Sequence, residues 1–232
     1  MKTLTQKVNE KKGIRMIPFL LSVWILLHLT TVGSAQIFGP PSFEGAGIIP
    51  SGNVEFTADY SSYSFFFNNI GITAGIPVNK NFDIKIGWNK FYNKYEFFDY
   101  NLFTISPKIT TTKGIGFKMP FSIVLNKFKS DYEEELISMY ILNPSLLISV
   151  PVAKWAEVTV SPMGSLYFYK GEKPLGLLGL NLDLGFSSNL ERWAVRPEAG
   201  FVFHPLEDGF CWNLGIGLTY RLDVRKAGKT QQ

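Results

Sequence analysis

The chain has 232 residues, of which 46% are hydrophobic, 15% aromatic and 18% charged. That is too apolar and aromatic for a disordered chain, and about the length of one domain. The net charge of +4 resides wholly at the start, where Lys2, Lys7, Lys11, Lys12 and Arg15 outweigh Glu10. The balanced remainder gives no electrostatic ground for nucleic-acid binding, and the single cysteine, Cys211, excludes a disulfide framework or a multi-cysteine metal site.

The basic opening leads into an apolar run from Met16 to Leu27. Small residues then follow, with Gly33 and Ala35 placed −3 and −1 to Gln36. Charged region, short apolar region and small-x-small site describe a secretory signal peptide over residues 1–35. The run is shorter than the roughly 20 residues a membrane helix needs, and Pro18 interrupts it. Residues 36–52, with Gly39-Pro-Pro41 and Pro50, read as an irregular periplasmic lead-in.

From residue 53 to 224 the chain alternates with period two. Val54, Phe56, Ala58 and Tyr60 alternate with Glu55, Thr57 and Asp59; Ile70, Ile72, Ala74 and Ile76 alternate with Gly71, Thr73 and Gly75. The pattern returns from Phe82 to Asn89, Phe103 to Ile109, Ile115 to Ile123 and Tyr140 to Ser149. It returns again from Glu157 to Phe168, Leu178 to Phe186, Trp193 to His204 and Trp212 to Asp223. This is strand periodicity. The apolar set carries no charge, and the polar set is rich in glycine, which weakens an exposed strand but makes room inside a narrow barrel. Phe82, Trp88, Trp155, Trp193, Trp212 and Tyr220 sit at strand ends, as membrane-interface aromatics do.

Short connections at Val78–Asn81, Thr110–Lys113, Val152–Lys154 and Ser187–Arg192 alternate with longer ones. The longer ones are Asn89–Asp99, Lys127–Ser138, Tyr169–Pro174 and His204–Phe210. The reading is an all-β, up-and-down antiparallel transmembrane β-barrel of about ten strands, with eight or twelve as neighbouring solutions. Mid-strand Pro107, Pro144, Pro162 and Pro197 are expected to mark bulges near the membrane rim. Residues 225–232 form a polar tail.

On these hairpins, and on the last strand from Leu214 to Leu222, the chain resembles the small outer-membrane β-barrel proteins of Gram-negative bacteria. It departs from them in ending on a polar, basic tail rather than a terminal aromatic residue. The resemblance implies an outer-membrane location, with outer-membrane lipid, lipopolysaccharide and the barrel-assembly machinery as partners. Oligomeric state is left open.

The polar face supplies the candidate site. Glu55, Asp59, Asp83, Glu157, Asp183, Glu198 and Asp223 share the lumen with Lys85, Lys108, Lys118, Arg196 and Arg221. Such charges must pair, because an isolated one there is costly. The expected role is structural, or a narrow polar pore with little ion selectivity, needing no cofactor or metal. Ten-stranded outer-membrane proteases of the omptin type and lipid A deacylases suggest one alternative. It is a hydrolase using His204 with Asp208 or Glu207, though the Asp-His and His-x-Ser motifs are absent. A surface adhesin acting through the loop Lys90–Asp99 is another, and a secreted soluble sheet protein is the alternative fold.

Overall fold

The structure is a computed structural model describing residues 42–64, 67–93, 100–112, 114–129, 134–169, 171–205 and 210–225. The expected signal peptide and most of the tail lie outside the described residues. So do the connections 94–99, 130–133 and 206–209.

The described elements are strands: β1 (Asn53–Tyr63), β2 (Phe67–Asn79), β3 (Phe82–Asn93), β4 (Tyr100–Thr112), β5 (Ile115–Lys118) and β6 (Phe121–Lys129). They continue as β7 (Glu134–Leu142), β8 (Ser145–Ala153), β9 (Ala156–Tyr169), β10 (Leu175–Phe186), β11 (Trp193–Phe203) and β12 (Phe210–Asp223). Every neighbouring pair is antiparallel. β1 pairs β12 from Asn53↔Asp223 to Tyr63↔Asn213, which closes the sheet. β5 and β6 are two halves of one wall strand, since both pair β4. β7 and β8 are likewise halves of the next, both pairing β9. The twelve segments therefore make a closed barrel of ten antiparallel strands.

Alternation here runs inside out. Ile72, Ile86, Ile105, Ile216 and Leu218 are exposed, whereas Asp83, Asp183, Lys108 and Glu198 are buried. A water-soluble sheet protein buries its apolar face. A barrel whose apolar face is the outer one is built for a hydrocarbon solvent, in which closure leaves no strand edge unpaired. Trp155 and Tyr220 stand exposed on that outer wall, but Trp212 is 6% exposed and faces no lipid.

Two expectations are revised. The prolines do not mark bulges at the rim. Pro107, Pro162 and Pro197 sit in register opposite Ile84, Leu180 and Ile216. The register shifts fall instead at Pro77/Asn79, Thr110/Thr112 and Pro151/Ala153. Pro144, together with Pro120, divides the two split strands. The breaks line up across four wall strands: Met119 N–H donates to Pro107 O, Asn143 N–H to Pro120 O and Gly164 N–H to Pro144 O, at 2.9–3.0 Å. Proline lacks a donor but keeps its carbonyl, so a row of proline acceptors carries the ladder across the seam.

The second revision concerns the connections. β3 runs to Asn93 and β6 to Lys129, so the connections after them shrink to 94–99 and 130–133. On the other end lie 80–81, 113–114, 154–155 and 187–192. The strands project where long loops were expected, because the ladder continues as long as neighbouring strands supply partners.

The outward face yields a direct test. Ile72 is 56% exposed at mid-strand. Ile72→Lys is expected to destabilise a lipid-embedded barrel by about 2–4 kcal/mol, read by denaturant unfolding in lipid vesicles. A negligible change would mean that water bathes this face.

Candidate functional site

The lumen is not empty. Residues 42–50 enter from the end carrying the short turns and lie inside the wall, with Phe43, Ala46 and Ile49 buried. The segment has no regular secondary structure, so its backbone groups need partners from the wall. Ser42 and Phe43 N–H donate to the Glu198 carboxylate, each at 3.0 Å. Ala46 N–H donates to Ser149 Oγ at 2.7 Å and Ile49 N–H to Asp83 Oδ2 at 3.1 Å. In return Lys108 Nζ donates to Gly47 O at 2.7 Å, and Thr110 Oγ1 to Ala46 O at 2.6 Å.

Glu44 is the centre of this plug. Its carboxylate pairs with Lys85 at 2.5 Å, Lys118 at 3.1 Å and Lys108 at 3.2 Å. These lysines come from β3, β5 and β4, three adjacent wall strands, all at inward positions. Burial by itself raises the Glu44 carboxyl. Lys108, Lys85 and Lys118 more than reverse that and hold it well below the usual carboxylate range.

The expected lumen residues do converge, in two groups. Lys85 also pairs with Glu55 at 2.6 Å, Glu55 with Arg221 at 2.6 Å, and Lys108 with Asp83 at 3.5 Å. On the opposite wall Arg196 bridges Asp183, at 2.8 Å, and Glu157. Glu198 also accepts from Asn181 and Asn213. Asp59 stands apart, held by Asn69 at 2.9 Å. Asp223 lies at the mouth with Arg225 rather than in the network.

Glycines on the polar face make room for the plug. A Cβ on Gly215 would fall 2.5 Å from Phe43 Cζ, and one on Gly217 would fall 2.8 Å from Phe43 Cβ. A small cavity of about 60 Å³ remains beyond the plug, lined by Glu44, Lys85, Lys118, Asp59, Asn89 and Thr104 among others. It is polar and roomy enough for a few water molecules.

Beyond the cavity the lumen turns apolar. Tyr63, Phe91, Tyr100, Leu102, Met139 and Tyr167 are buried in one cluster with Val124, Ile141 and Leu177. Phe91 stacks on Tyr100 with ring centroids 4.7 Å apart. The barrel is thus filled by ion pairs at the short-turn end and by rings and aliphatic chains at the other.

The alternation alone missed both fillings. The apolar seal has a signal in parity: Phe91 continues the inward series past Asn89, Tyr63 past Asp59 and Ser61, and Tyr167 past Ser165. Glu44 has none, because no periodicity ties residues 42–50 to a wall. His204 follows the end of β11. Its suggested partners Glu207 and Asp208 lie outside the described residues, as does the loop tip 94–99.

No family model matches the sequence, and no curated protein matches it either. Among solved structures, the chain is similar to the N-terminal β-barrel domain of Pseudomonas aeruginosa OprF. The identity is 13% and the TM-score 0.35, over 74% of this chain and 98% of that one. It is also similar to Ail, the attachment invasion locus protein of Yersinia pestis. There the identity is 7% and the TM-score 0.28, over 73% and 95%.

The plug makes two predictions. Glu44→Gln leaves three buried ammonium groups without their shared anion, and is expected to destabilise the barrel by about 3–5 kcal/mol at neutral pH. Because the carboxyl is depressed in the fold, that contribution is complete above the ordinary carboxylate range, declines progressively as pH falls below it, and is gone only once pH has passed the lower folded value. Thermal unfolding of variant and parent should therefore differ at pH 7 and converge only in strong acid. Convergence on reaching the ordinary carboxylate range would contradict the lysine pairing. Separately, Gly215→Leu should evict Phe43 and expose the segment before β1 to added protease. Unchanged protection would contradict the close packing.

Proposed function

We propose that the chain is an integral outer-membrane β-barrel with a closed lumen, a structural envelope protein rather than an open pore. The observation that carries this reading is the double occlusion of the lumen. Glu44 and its segment fill one end, held by three lysines and by backbone hydrogen bonds to four wall strands. The apolar cluster from Tyr63 to Tyr167 fills the other. On this reading a hydrated ion finds no continuous polar path among the described residues. The apolar outer wall and the expected signal peptide support export followed by insertion into the outer membrane. Outer-membrane lipid, lipopolysaccharide and the barrel-assembly machinery are the partners this reading entails.

Two measurements test it. The protein, extracted from membranes in mild detergent, should migrate faster unboiled than boiled, as a closed barrel stays compact until heated. Reconstituted into a planar bilayer, it should show no steady conductance, and His204→Ala should change neither result. A stable ohmic current from the parent protein would overturn the closed-lumen reading while leaving the barrel intact. Recovery in the soluble fraction with no mobility shift would overturn the barrel's membrane location.

A further inference from the structure

The carboxylates inside the barrel have partners, with one exception. Glu44, Glu55 and Asp83 share Lys85, Lys108, Lys118 and Arg221. Asp183 and Glu157 share Arg196. Glu198 forms no ion pair among the described residues, but Ser42, Phe43, Asn181 and Asn213 all donate N–H groups to it. Asp59 is the exception. Among the described residues it pairs with no lysine or arginine, and its Oδ1 accepts only from the Asn69 amide. An unmatched carboxylate beside an apolar filling is costly.

Its surroundings are rich in oxygen. The Asp59 carboxylate and the Asn89 amide both lean over Gly71, into the space a Cβ there would take. Both line the polar cavity of about 60 Å³. One step toward the plug, the register sets Thr57, Thr73 and Thr104 in a single row, to which Gly87 adds no side chain. All three threonines line the same cavity. Asn69 is fully buried, and the oxygen of the amide that holds Asp59 has no partner among the described residues. At the plug end of the cavity Lys85 and Lys118 are committed to Glu44, and Lys85 also to Glu55. The charge left over in the cavity is therefore negative.

We propose that this cavity binds one monovalent metal cation, Na+ or K+, at Asp59 Oδ2. The carboxylate supplies the countercharge. The threonine hydroxyls and asparagine amides complete the ion's shell through the few waters the cavity accommodates. A divalent ion fits worse, because it draws on several anionic ligands. Among the described residues no three acidic, histidine or cysteine side chains converge on one point. The ion sits where the polar filling ends, since Leu102, opposite Asn89, already belongs to the apolar cluster. The sequence reading, which needs no metal, does not reach this ion, because Asp59 alternates like its paired neighbours. The inference needs the closed barrel but not its location.

The test is thermal unfolding of the detergent-purified protein at fixed pH and ionic strength. NaCl or KCl is exchanged for choline chloride, whose cation is too large for the cavity. The parent midpoint should rise with Na+ or K+, by a similar increment for each tenfold increase once the site is filled. Asp59→Asn keeps the shape and removes the charge. It should show no ion dependence, and in choline it should be at least as stable as the parent. Glu157→Gln, which breaks an ion pair on the opposite wall, is the control and should keep the ion dependence. In crystals grown with rubidium as the alkali ion, an anomalous peak should lie beside Asp59 Oδ2. Equal parent midpoints in alkali and choline salts would overturn the proposal and mean that Asp59 carries a proton instead. Ion dependence retained by Asp59→Asn, or no rubidium peak beside Asp59, would also overturn it. The gel mobility shift on boiling, measured on every variant, separates these outcomes from failure of the barrel itself.

Discussion

Three lysines side by side on one wall of a narrow lumen set the terms for this protein. Lys85, Lys108 and Lys118 stand on adjacent strands with their stems buried. Asp83 and Glu55 reach two of them, but Lys118 pairs with neither. Three lysines in a desolvated interior demand a further anion. The chain supplies it from outside the sheet, by threading residues 42–50 into the barrel and placing Glu44 where the three ammonium groups meet.

Much else follows from that placement. A segment without regular structure cannot enter a closed barrel unless its own amides and carbonyls are satisfied. Hence Glu198, Asp83 and Ser149 accept from it, and Lys108 and Thr110 donate to it. The glycines on β12 then have a definite role, since Phe43 occupies the volume a Cβ would take. The network also divides the labour across the barrel. Lysines and Glu44 hold the β3–β5 wall, Arg196 with Asp183 and Glu157 holds the β9–β11 wall, and the plug joins the two through Glu198.

The two ends of the lumen are closed by different physics. Ion pairs and hydrogen bonds close the short-turn end, where specificity comes from geometry. Dispersion and stacking among Tyr63, Phe91, Tyr100 and Tyr167 close the other. Between them lies the small polar cavity. The outer wall meets a third demand, that of lipid, and answers it with the exposed isoleucines, leucines and phenylalanines. Its row of proline acceptors lets two strands break without leaving the seam open.

Period-two alternation by itself determined the all-β class, a barrel of about ten strands and the outward apolar face, because a side-chain period of two is a local property of the strand; closure at ten, rather than eight or twelve, came from the pairing. Parity also bears on which face each charge occupies: Glu55, Asp83, Lys108 and Arg196 are buried, whereas Asp223 lies at the mouth with Arg225. The alternation could not say that Trp212 is buried, because its parity is outward and parity does not report what covers a side chain. It misplaced the role of the prolines, which depends on which neighbours align with them across the sheet. Glu44 was beyond its reach for the same reason: its partners lie 41, 64 and 74 residues away in sequence, and only closure of the barrel brings them together. The tertiary structure decided that the lumen is filled, since filling depends on what a closed wall encloses, and no single strand carries that information.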